Sequence, residues 1–380
     1  MLTRRSLPCF FPVARILVIL TAFSLLASCA SRPSAAVLQP VTTTQASDRE
    51  IVLLSATNRR PNPTTHGYDT VRSATISYQR YTVSIPQTHK SPEIEYPGTR
   101  PDSKHDMLVT DRRNLSKEDF LTSAADNVDK TGTTAIFVHG YNYSFQEALF
   151  RFAQITADAN TGGTPVLFSW PSEGAVTGYV ADRDAVLASR DDLRDLLLSV
   201  ADQPRLKRIV LFGHSMGGFL IMETLRELKL EGRDDVLGKL MVVLAAPDID
   251  ADVFETQLDV IGKMKNPIIL FVSKDDRALA VSSFIGGERQ RIGRLDVNDP
   301  AIQAAARKYG VRIIDITSIK GVDGLGHDRY ASLAKLGPQL VSSQGQHGAS
   351  ANEVGAFVFD AAGAALSSPF RLASKIVAPR

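Results

Sequence analysis

From residue 50 onward, two hydrophobic patterns alternate along the chain. Residues 133–138 read TTAIFV, a run of apolar and β-branched side chains typical of a strand buried on both faces of a parallel sheet. Residues 144–157 instead place Phe145, Leu149 and Phe152 at helical spacing on one face. Because this strand–helix unit recurs, the pattern predicts an α/β domain with a mostly parallel sheet and helices on both faces. The predicted strands are residues 51–54, 74–85, 133–138, 165–170, 208–212, 240–244, 268–272 and 311–316, and the predicted helices are residues 116–125, 144–157, 181–200 and 216–228.

The N-terminus has the pattern of an export signal. Residues 1–15 carry three arginines and no acid, and residues 16–26 are almost wholly apolar. This apolar stretch is shorter than the roughly 20 residues of a membrane-spanning helix. The following Leu26-Ala27-Ser28-Cys29 matches the bacterial lipobox. We predict a signal peptide over residues 1–28 and a lipidated Cys29, with a plain signal peptide or an uncleaved anchor as the alternative.

The residue after the predicted lipidation site bears on localisation. Ala30 stands where an Asp would favour retention in the inner membrane. We therefore expect a lipid-anchored protein of the bacterial cell envelope, in the outer membrane and facing the periplasm. Residues 29–49 are rich in Ser, Thr, Pro and Gln and predict a flexible tether.

The α/β domain is predicted over residues 50–340, and residues 341–380 form a C-terminal extension. Within the extension, residues 345–350 read as a polar linker, and the Ala-rich residues 354–377 suit a helix that packs on the core or touches the membrane. Residues 284–307 are charged and contain glycine, so they predict either a cap over the site or a surface loop.

Composition excludes several classes of function. Lys and Arg number 43 against 41 Asp and Glu, so nothing electrostatic favours a nucleic acid partner. The two cysteines, Cys9 and Cys29, leave the domain without a disulfide, a thiolate metal site or a cysteine nucleophile. The chain contains no H-E-x-x-H, C-x-x-C, P-loop or G-x-G-x-x-G motif, so no metal and no other cofactor is predicted.

A G-x-S-x-G motif lies between a predicted strand and a predicted helix. Residues 213–217 read GHSMG, follow the strand IVLF and open an apolar helix. Such a turn is tight enough to require glycine at both flanks, and it raises the hydroxyl of Ser215 above the sheet as a nucleophile. The alternative is an inert turn that needs its glycines for packing alone.

A serine nucleophile needs a base. Where the serine lies in a G-x-S-x-G turn between a strand and a helix, the three catalytic residues follow the chain order Ser, acid, His. Only His327 and His347 follow Ser215. His327 is preferred because it follows the last predicted strand, whereas His347 lies in a polar stretch. The acid is expected just beyond a strand, where Asp276 is preferred and Asp275 is the second choice. Asp248 and Asp250 follow an earlier strand and are interpreted as loop-capping residues.

The segment Val138-His139-Gly140-Tyr141 ends an early buried strand. It resembles the H-G motif that supplies one backbone N–H of an oxyanion hole. We predict that the N–H groups of Tyr141 and Met216 stabilise the oxyanion, and that His139 is structural.

Six segments of the chain together resemble a known family. They are FVHGYNYSFQEALFRFAQI, PVLFSWPS, GHSMGGFL, VVLAAPDIDADVF, LFVSKDDRAL and GHDRY. In this order they resemble an uncharacterised α/β-hydrolase family of bacteria, often lipoproteins, over residues 51–336. The resemblance implies an α/β-hydrolase fold and a triad of Ser215, Asp276 and His327. It implies no substrate.

The sequence thus leads us to expect an exported, lipid-anchored serine hydrolase. It would act through an acyl-enzyme on an ester, thioester or amide, with a carboxylic ester preferred and a small-molecule or lipid-like acyl group as substrate. Transfer to an acceptor other than water remains open. The alternative is a non-catalytic envelope lipoprotein that uses the same scaffold for binding or assembly.

Overall fold

Ten strands form one sheet in the computed structural model, which describes residues 32–42, 49–126, 128, 132–159 and 164–334 and the backbone of residues 376–377. The chain divides into two units, Met1–Ser34 and Ala35–Arg380, and every element named below belongs to the second. The strands are β1 (Glu50–Asn62), β2 (Gly67–Ser84), β3 (Leu108–Leu115), β4 (Thr133–Val138), β5 (Val166–Ser169), β6 (Arg208–His214), β7 (Leu240–Ala245), β8 (Ile269–Val272), β9 (Arg312–Asp315) and β10 (Ile376–Val377). The α-helices are α1 (Lys117–Asp126), α2 (Phe145–Ala159), α3 (Tyr179–Ala188), α4 (Arg190–Ala201), α5 (Met216–Leu230), α6 (Asp234–Leu237), α7 (Ala251–Ile261), α8 (Arg277–Ile285), α9 (Pro300–Tyr309) and α10 (Arg329–Leu333). Three short 3-10 helices lie at Ala35–Leu38, Val176–Gly178 and Ile292–Arg294.

The strand order confirms the predicted mostly parallel sheet. It runs β10-β9-β8-β7-β6-β4-β5-β1-β2-β3, and every pairing from β9 through to β1 is parallel. Antiparallel strands complete it, with β2 and β3 on one side and β10 on the other. The carboxyl ends of the parallel strands meet at one edge, called the carboxyl edge below, which is where ligands bind in open α/β sheets.

The alternation of side chains along the central strands builds a core on each face of the sheet. In β4, Ile136 and Val138 point into the layer that holds α5, whereas Phe137 points into the layer that holds α2. All three side chains are essentially inaccessible to water. Full burial of each such side chain stabilises the fold by roughly 1.5–3 kcal/mol, so the apolar run in β4 fixes the sheet between two helical layers.

One local expectation was wrong, and one strand was not predicted. The predicted helix over residues 181–200 is interrupted at Ser189, whose hydroxyl donates to the Ala185 carbonyl at 2.7 Å and accepts from the Asn58 amide at 2.9 Å. This polar anchor separates α3 from α4. Strand β3 was not predicted, because its sequence LVTDRRNL is charged at the centre and lacks an apolar run.

The predicted flexible tether, residues 29–49, is wrong for its central part. Ala35–Leu38 forms a 3-10 helix, and the side chain of Leu38 is fully buried with apolar residues of β2 and β3. The Val41 amide donates to the Val109 carbonyl at 2.9 Å. An apolar pair within the polar segment, Val37-Leu38, provides the packing that the overall composition concealed, so the domain begins at Ala35.

Only Ile376–Val377 of the C-terminal extension is described, as the strand that pairs with β9. The rest of the helix predicted over residues 354–377 lies outside the described residues, as does His347. Within the described part of the chain, no helix is both long and apolar enough to cross a bilayer.

Residues 284–307, predicted as a cap or a surface loop, contain the end of α8, a 3-10 helix and most of α9. The Ile292 amide donates to the Ile249 carbonyl and the Gly293 amide to the Pro247 carbonyl, each at 2.9 Å. Leu295 is buried as well. The segment therefore packs against the loop that follows β7, beside the carboxyl edge.

Candidate active site

The turn from β6 into α5 holds Ser215 in a strained backbone conformation. Its φ and ψ are 53° and −122°, a region that a residue with a Cβ adopts only where the surrounding structure enforces it. Three backbone hydrogen bonds do so: the Ser215 amide donates to Ala245, and the Ser215 carbonyl accepts from Gly218 and Asp248. Ser215 therefore lies at the carboxyl edge, at the N-terminus of a buried helix whose dipole favours negative charge.

Two glycines bring the loop after β4 into direct contact with this turn. A Cβ on Gly217 would clash with the Val138 carbonyl oxygen, and a Cβ on Gly140 would lie 2.8 Å from the Cβ of Ser215. Only glycine permits so close an approach. Tyr141, which follows Gly140, and Met216, which follows Ser215, are thus the residues that flank the contact.

His327 and Asp276 form a buried hydrogen-bonded pair. The Nδ1 atom of His327 lies 2.7 Å from Oδ2 of Asp276, whose side chain is inaccessible to water. Asp276 follows β8 and caps α8 by accepting from the Leu279 amide at 2.9 Å. With a proton on Nδ1 directed at the carboxylate, the Nε2 atom of His327 is left as a proton acceptor.

Asp275, the second-choice acid, has different partners. Its carboxylate accepts from the Ser273 hydroxyl at 2.6 Å and pairs with Arg329 at 2.9 Å, and its side chain is 54% exposed. The structure thus directs the two neighbouring carboxylates apart, Asp276 towards the imidazole of His327 and Asp275 towards the guanidinium of Arg329.

His214 connects the His327 loop to the serine turn. Its Nε2 donates to the His327 carbonyl oxygen at 3.2 Å, and the two rings lie 4.6 Å apart. Burial, together with the neighbouring charge of His327, holds the pKa of His214 well below its usual range. The ring of His214 is therefore neutral and fixes the backbone of His327 next to Ser215. Sequence reasoning treated His214 only as a variable position of the motif.

The pKa of His327 is raised above its ordinary value. Burial alone would lower it, but the charge and hydrogen bond of Asp276, with further negative charge from Asp323 and Asp248, outweigh this effect. Asp323 also accepts from the His327 amide at 3.0 Å. Burial and the nearby carboxylate of Asp328 raise the pKa of Asp323 to about 6.

This environment predicts the acid limb of a pH profile. If His327 must be neutral to accept a proton, kcat/KM rises with pH through the pKa of His327. The midpoint is expected above the ordinary histidine value of about 6.5. Asp276→Asn removes the carboxylate that contributes most to raising the pKa of His327. The pH profile of the residual activity should therefore have its midpoint at lower pH. An unchanged midpoint in Asp276→Asn, measured with a p-nitrophenyl ester, would contradict this assignment.

The loop after β4 is held by buried polar contacts. His139 stacks on Trp170 with ring centroids 5.0 Å apart, and its Nε2 lies 3.0 Å from the Ser169 hydroxyl. Burial, with the positive charge of Arg59 nearby, lowers the pKa of His139 to about 3. A ring that stays neutral and enclosed suits the structural role predicted for His139.

Arg59 supports the loops of the candidate site, and the sequence analysis did not identify it. Its guanidinium is buried and donates to the Ser169 hydroxyl at 3.1 Å and to the carbonyls of Ser172 and Tyr143 at 3.0 and 2.8 Å. Burial lowers its pKa to about 10, and the negative charge of Asp182 opposes this effect. One side chain on β1 thus joins the loops that follow β4 and β5. The sequence carries no motif at this position, because the partners of Arg59 lie far away along the chain.

We predict that Arg59→Met destabilises the fold by about 3 kcal/mol, because it leaves several buried acceptors without a donor. Urea unfolding measures the loss. The neighbouring Arg60→Met is the matched control, since Arg60 is 58% exposed and pairs with Asp69 at the surface. That control should cost no more than about 1 kcal/mol. Equal losses in both variants would show that the buried contacts of Arg59 contribute little.

The two aspartates after β7 differ in role. Asp250 caps α7, accepting from the amides of Asp252 and Val253 at 3.0 and 3.2 Å, as expected of a capping residue. Asp248 is not a cap. Its buried carboxylate accepts from the Tyr179 hydroxyl at 3.0 Å and pairs with Arg291 at 3.3 Å. Asp248 thus links α3 to the segment after α8, beside Ser215.

Across the described residues, no group of three or more His, Cys, Asp or Glu side chains is arranged to hold a metal ion. The polar groups at the carboxyl edge engage one another in the pairs given above.

Strands, helices and the serine turn together define an α/β-hydrolase fold. Residues 116–344 match the profile of a family described as "Alpha/beta hydrolase of unknown function (DUF900)", and the chain belongs to that family. The match confirms the family resemblance and the fold expected from the sequence. A search of curated proteins found no match.

Several solved structures are similar to this chain. Esterase B from Lactobacillus rhamnosis, inhibited by a C6-C4 SN3 compound, has 12% identity and a TM-score of 0.36, covering 88% of this chain and 98% of its own. Est1E from Butyrivibrio proteoclasticus has 12% identity and a TM-score of 0.33, covering 71% and 96%. A putative hydrolase from Agrobacterium vitis S4 has 14% identity and a TM-score of 0.27, covering 58% and 84%.

Proposed function

We propose that this protein is a serine hydrolase in which Ser215 is the nucleophile, His327 the general base and Asp276 the orienting acid. The observation that carries the proposal is the 2.7 Å hydrogen bond between His327 and the buried carboxylate of Asp276, formed beside the strained turn that holds Ser215. The three residues come from the ends of β6, β8 and the loop after β9. All of them lie at the carboxyl edge.

In the proposed reaction, the Ser215 hydroxyl adds to the carbonyl carbon of the substrate while Nε2 of His327 takes its proton. The backbone N–H groups of Tyr141 and Met216 donate to the oxyanion, and the N-terminus of α5 adds favourable electrostatics. The tetrahedral intermediate collapses to an acyl-serine, and His327 returns the proton to the leaving group. A water molecule, activated by the same imidazole, then releases the acid and restores Ser215.

This chemistry suits an ester, a thioester or an amide, and we propose a carboxylic ester. An alcohol leaves more readily than the amine of an amide, and with His327 to protonate it ester cleavage requires no group beyond those of the site. Transfer of the acyl group to a lipid or glycan hydroxyl would use the same acyl-serine with another acceptor. A panel of p-nitrophenyl esters of increasing acyl length would define the preferred substrate.

Covalent labelling tests the proposal. A fluorophosphonate probe should react with the full-length protein and not with Ser215→Ala. Ser283→Ala is the matched control, because its hydroxyl donates to the Arg289 carbonyl, and it should label like the parent. A folded protein that never labels and hydrolyses none of the esters would favour the alternative, a non-catalytic envelope lipoprotein with a hydrolase scaffold.

We also propose that the mature protein is anchored through a lipidated Cys29 in the bacterial cell envelope, in the outer membrane and facing the periplasm. Support comes from the lipobox and its preceding apolar segment. Several acyl chains on Cys29 would hold the protein more firmly than one. Cys29→Ala should appear in the soluble fraction, whereas Cys9→Ala, inside the predicted signal, should remain with the membranes. Membrane retention of Cys29→Ala would refute lipid anchoring.

A further inference from the structure

Most of the large apolar side chains that are exposed in the described part of the chain lie close to the candidate active site. They occupy three segments: the 3-10 helix with the start of α3, the outer face of α8, and the loop that carries His327. Phe284 is the most prominent aromatic among them, with 74% of its surface exposed. We call these residues the apolar rim; it consists of Val176, Val180, Val281, Phe284, Ile285 and Leu325.

Hydrogen bonds join the three segments to one another and to the site. The Tyr141 hydroxyl donates to the Val176 carbonyl, which ties the predicted oxyanion loop to the first segment. The hydroxyls of Tyr179 and Ser282 lie 2.8 Å apart and connect α3 with α8. The Arg277 amide donates to the Leu325 carbonyl at 3.1 Å, which connects α8 with the His327 loop. The three segments that carry the apolar rim are therefore joined to one another beside the site.

The outer face of α8 carries half of the six side chains of the apolar rim. Val281, Phe284 and Ile285 are spaced three and four residues apart, so they share one side of the helix, and all three are exposed. The opposite side buries Leu279 and Ser282. Asp276 caps this helix, so the exposed apolar side and the candidate acid belong to the same element. Exposed apolar side chains grouped on one side of a helix are candidates for an interaction site.

The domain also begins at the carboxyl edge. A Cβ placed on Gly67 would lie 2.6 Å from the Cβ of Ala35. Gly67 pairs with Asn62, the last residue of β1, and β1 runs parallel to β5. The ring of Tyr68 contacts the tilted ring of Phe145 with centroids 4.4 Å apart, and Phe145 directly follows the loop that contains Tyr141. Ala35 therefore lies at the edge where the candidate active site is found.

This entry point limits the distance to the predicted lipid. Ala35 is only six positions after Cys29. An extended chain of that length spans at most about 20 Å. An acyl chain on Cys29 would thus hold the carboxyl edge, with its apolar rim, close to the bilayer surface. The lipid anchor and the exposed apolar side chains would act at the same end of the domain.

We propose that the apolar rim is a lipid-binding surface that rests on the bilayer and presents the candidate active site to acyl esters held in the membrane. The substrate class is then a lipid-embedded ester with a long acyl chain, and this part of the proposal rests on the proposed serine hydrolase function. The rim side chains would lie at the acyl boundary, where apolar residues bind membranes in proportion to their buried area.

The test uses the mature chain, residues 29–380, with Cys29→Ala, so that neither an acyl anchor nor the apolar signal segment contributes to binding. Flotation with phosphatidylcholine vesicles measures lipid binding, because these vesicles carry no net charge. Hydrolysis is followed for p-nitrophenyl acetate in solution and for p-nitrophenyl palmitate embedded in the vesicles. Adding Phe284→Ser and Ile285→Ser should weaken vesicle binding at least about tenfold. The loss of activity should be at least about tenfold larger on the embedded ester than on the soluble one.

Leu230→Ser is the matched control. Leu230 is 63% exposed and ends α5, which starts at the serine turn and therefore extends about 20 Å from it. This variant should bind vesicles and hydrolyse both esters like the parent. A parent that does not float, or a Phe284/Ile285 double variant that floats equally well, overturns the lipid-binding surface. If the parent hydrolyses neither ester, the proposed function fails, whereas rim-dependent flotation would still support the lipid-binding surface.

Discussion

His327→Ala is expected to lower kcat/KM for a p-nitrophenyl ester by about 10⁴–10⁶-fold. The serine hydroxyl is a poor nucleophile without a base, and the structure places the buried His327–Asp276 pair next to the turn that holds Ser215. The histidine and serine would act as one unit. The double variant with Ser215→Ala should therefore be no slower than either single variant.

A histidine at the surface serves as the control for this experiment. His105 is 64% exposed and hydrogen-bonds to Asp102 in a loop far along the chain from the site. His105→Ala should keep the turnover of the parent. Circular dichroism and urea unfolding would verify that His327→Ala is folded. Ester hydrolysis at the parental rate by folded His327→Ala would remove His327 from the proposed triad.

The second large effect is expected from Asp276→Asn, with a loss of about 10³–10⁴ in kcat. Asparagine keeps the volume but presents an amide to Nδ1 of His327, which favours the tautomer that carries its proton on Nε2. That imidazole cannot accept the proton of Ser215. Because Asp276 also caps α8, stability should be measured in parallel, and an asparagine at this position retains most of the capping effect.

Asp275→Asn is the matched comparison, since it changes the neighbouring carboxylate by the same atoms. Asp275, whose side chain is 54% exposed, contacts Ser273 and Arg329. Its replacement should alter turnover by no more than a few-fold. The reverse result, a severe loss in Asp275→Asn and a mild one in Asp276→Asn, would reassign the acid and leave the remainder of the proposed mechanism unchanged.

The sequence was sufficient to predict the fold because its elements have clear hydrophobic patterns. Runs such as TTAIFV and IVLF suit only strands buried on both faces, and the helices between them carry one apolar side. The order of these elements constrains the topology, since parallel neighbours need a helical crossover. The central sheet follows from local pattern alone.

The choice between Asp275 and Asp276 could not be made from the strand that precedes them. It depends on α8, which the sequence analysis did not predict because this helix exposes Val281 and Phe284 instead of burying them. Once α8 is in place, Asp276 lies at its N-cap and turns inward to His327. Because its apolar side faces outward, α8 is not found by a search for helices with a buried apolar side.

Other contributors depend on contacts between distant parts of the chain. Arg59 donates hydrogen bonds to the carbonyls of Tyr143 and Ser172, which are 84 and 113 residues away in the sequence. Asp248 accepts a hydrogen bond from Tyr179, which is 69 residues away in the sequence. Neither position carries a motif, because their partners are mostly backbone carbonyls or common hydroxyls. Only the folded arrangement of the loops at the carboxyl edge shows that these side chains support the site.

The outermost strand β3 has a consequence for how copies of this protein behave when crowded together. Among the described residues no further strand pairs with its outer side, where the Val41 amide donates to the Val109 carbonyl, and such an edge is the usual starting point for aggregation by strand addition. Asp111, Arg112 and Arg113 occupy its centre, and the Arg113 side chain is 66% exposed beside Asp111. A strand from another molecule would have to desolvate these charges to pair there. The sheet therefore ends in a charged border that favours separate molecules over fibrous assembly.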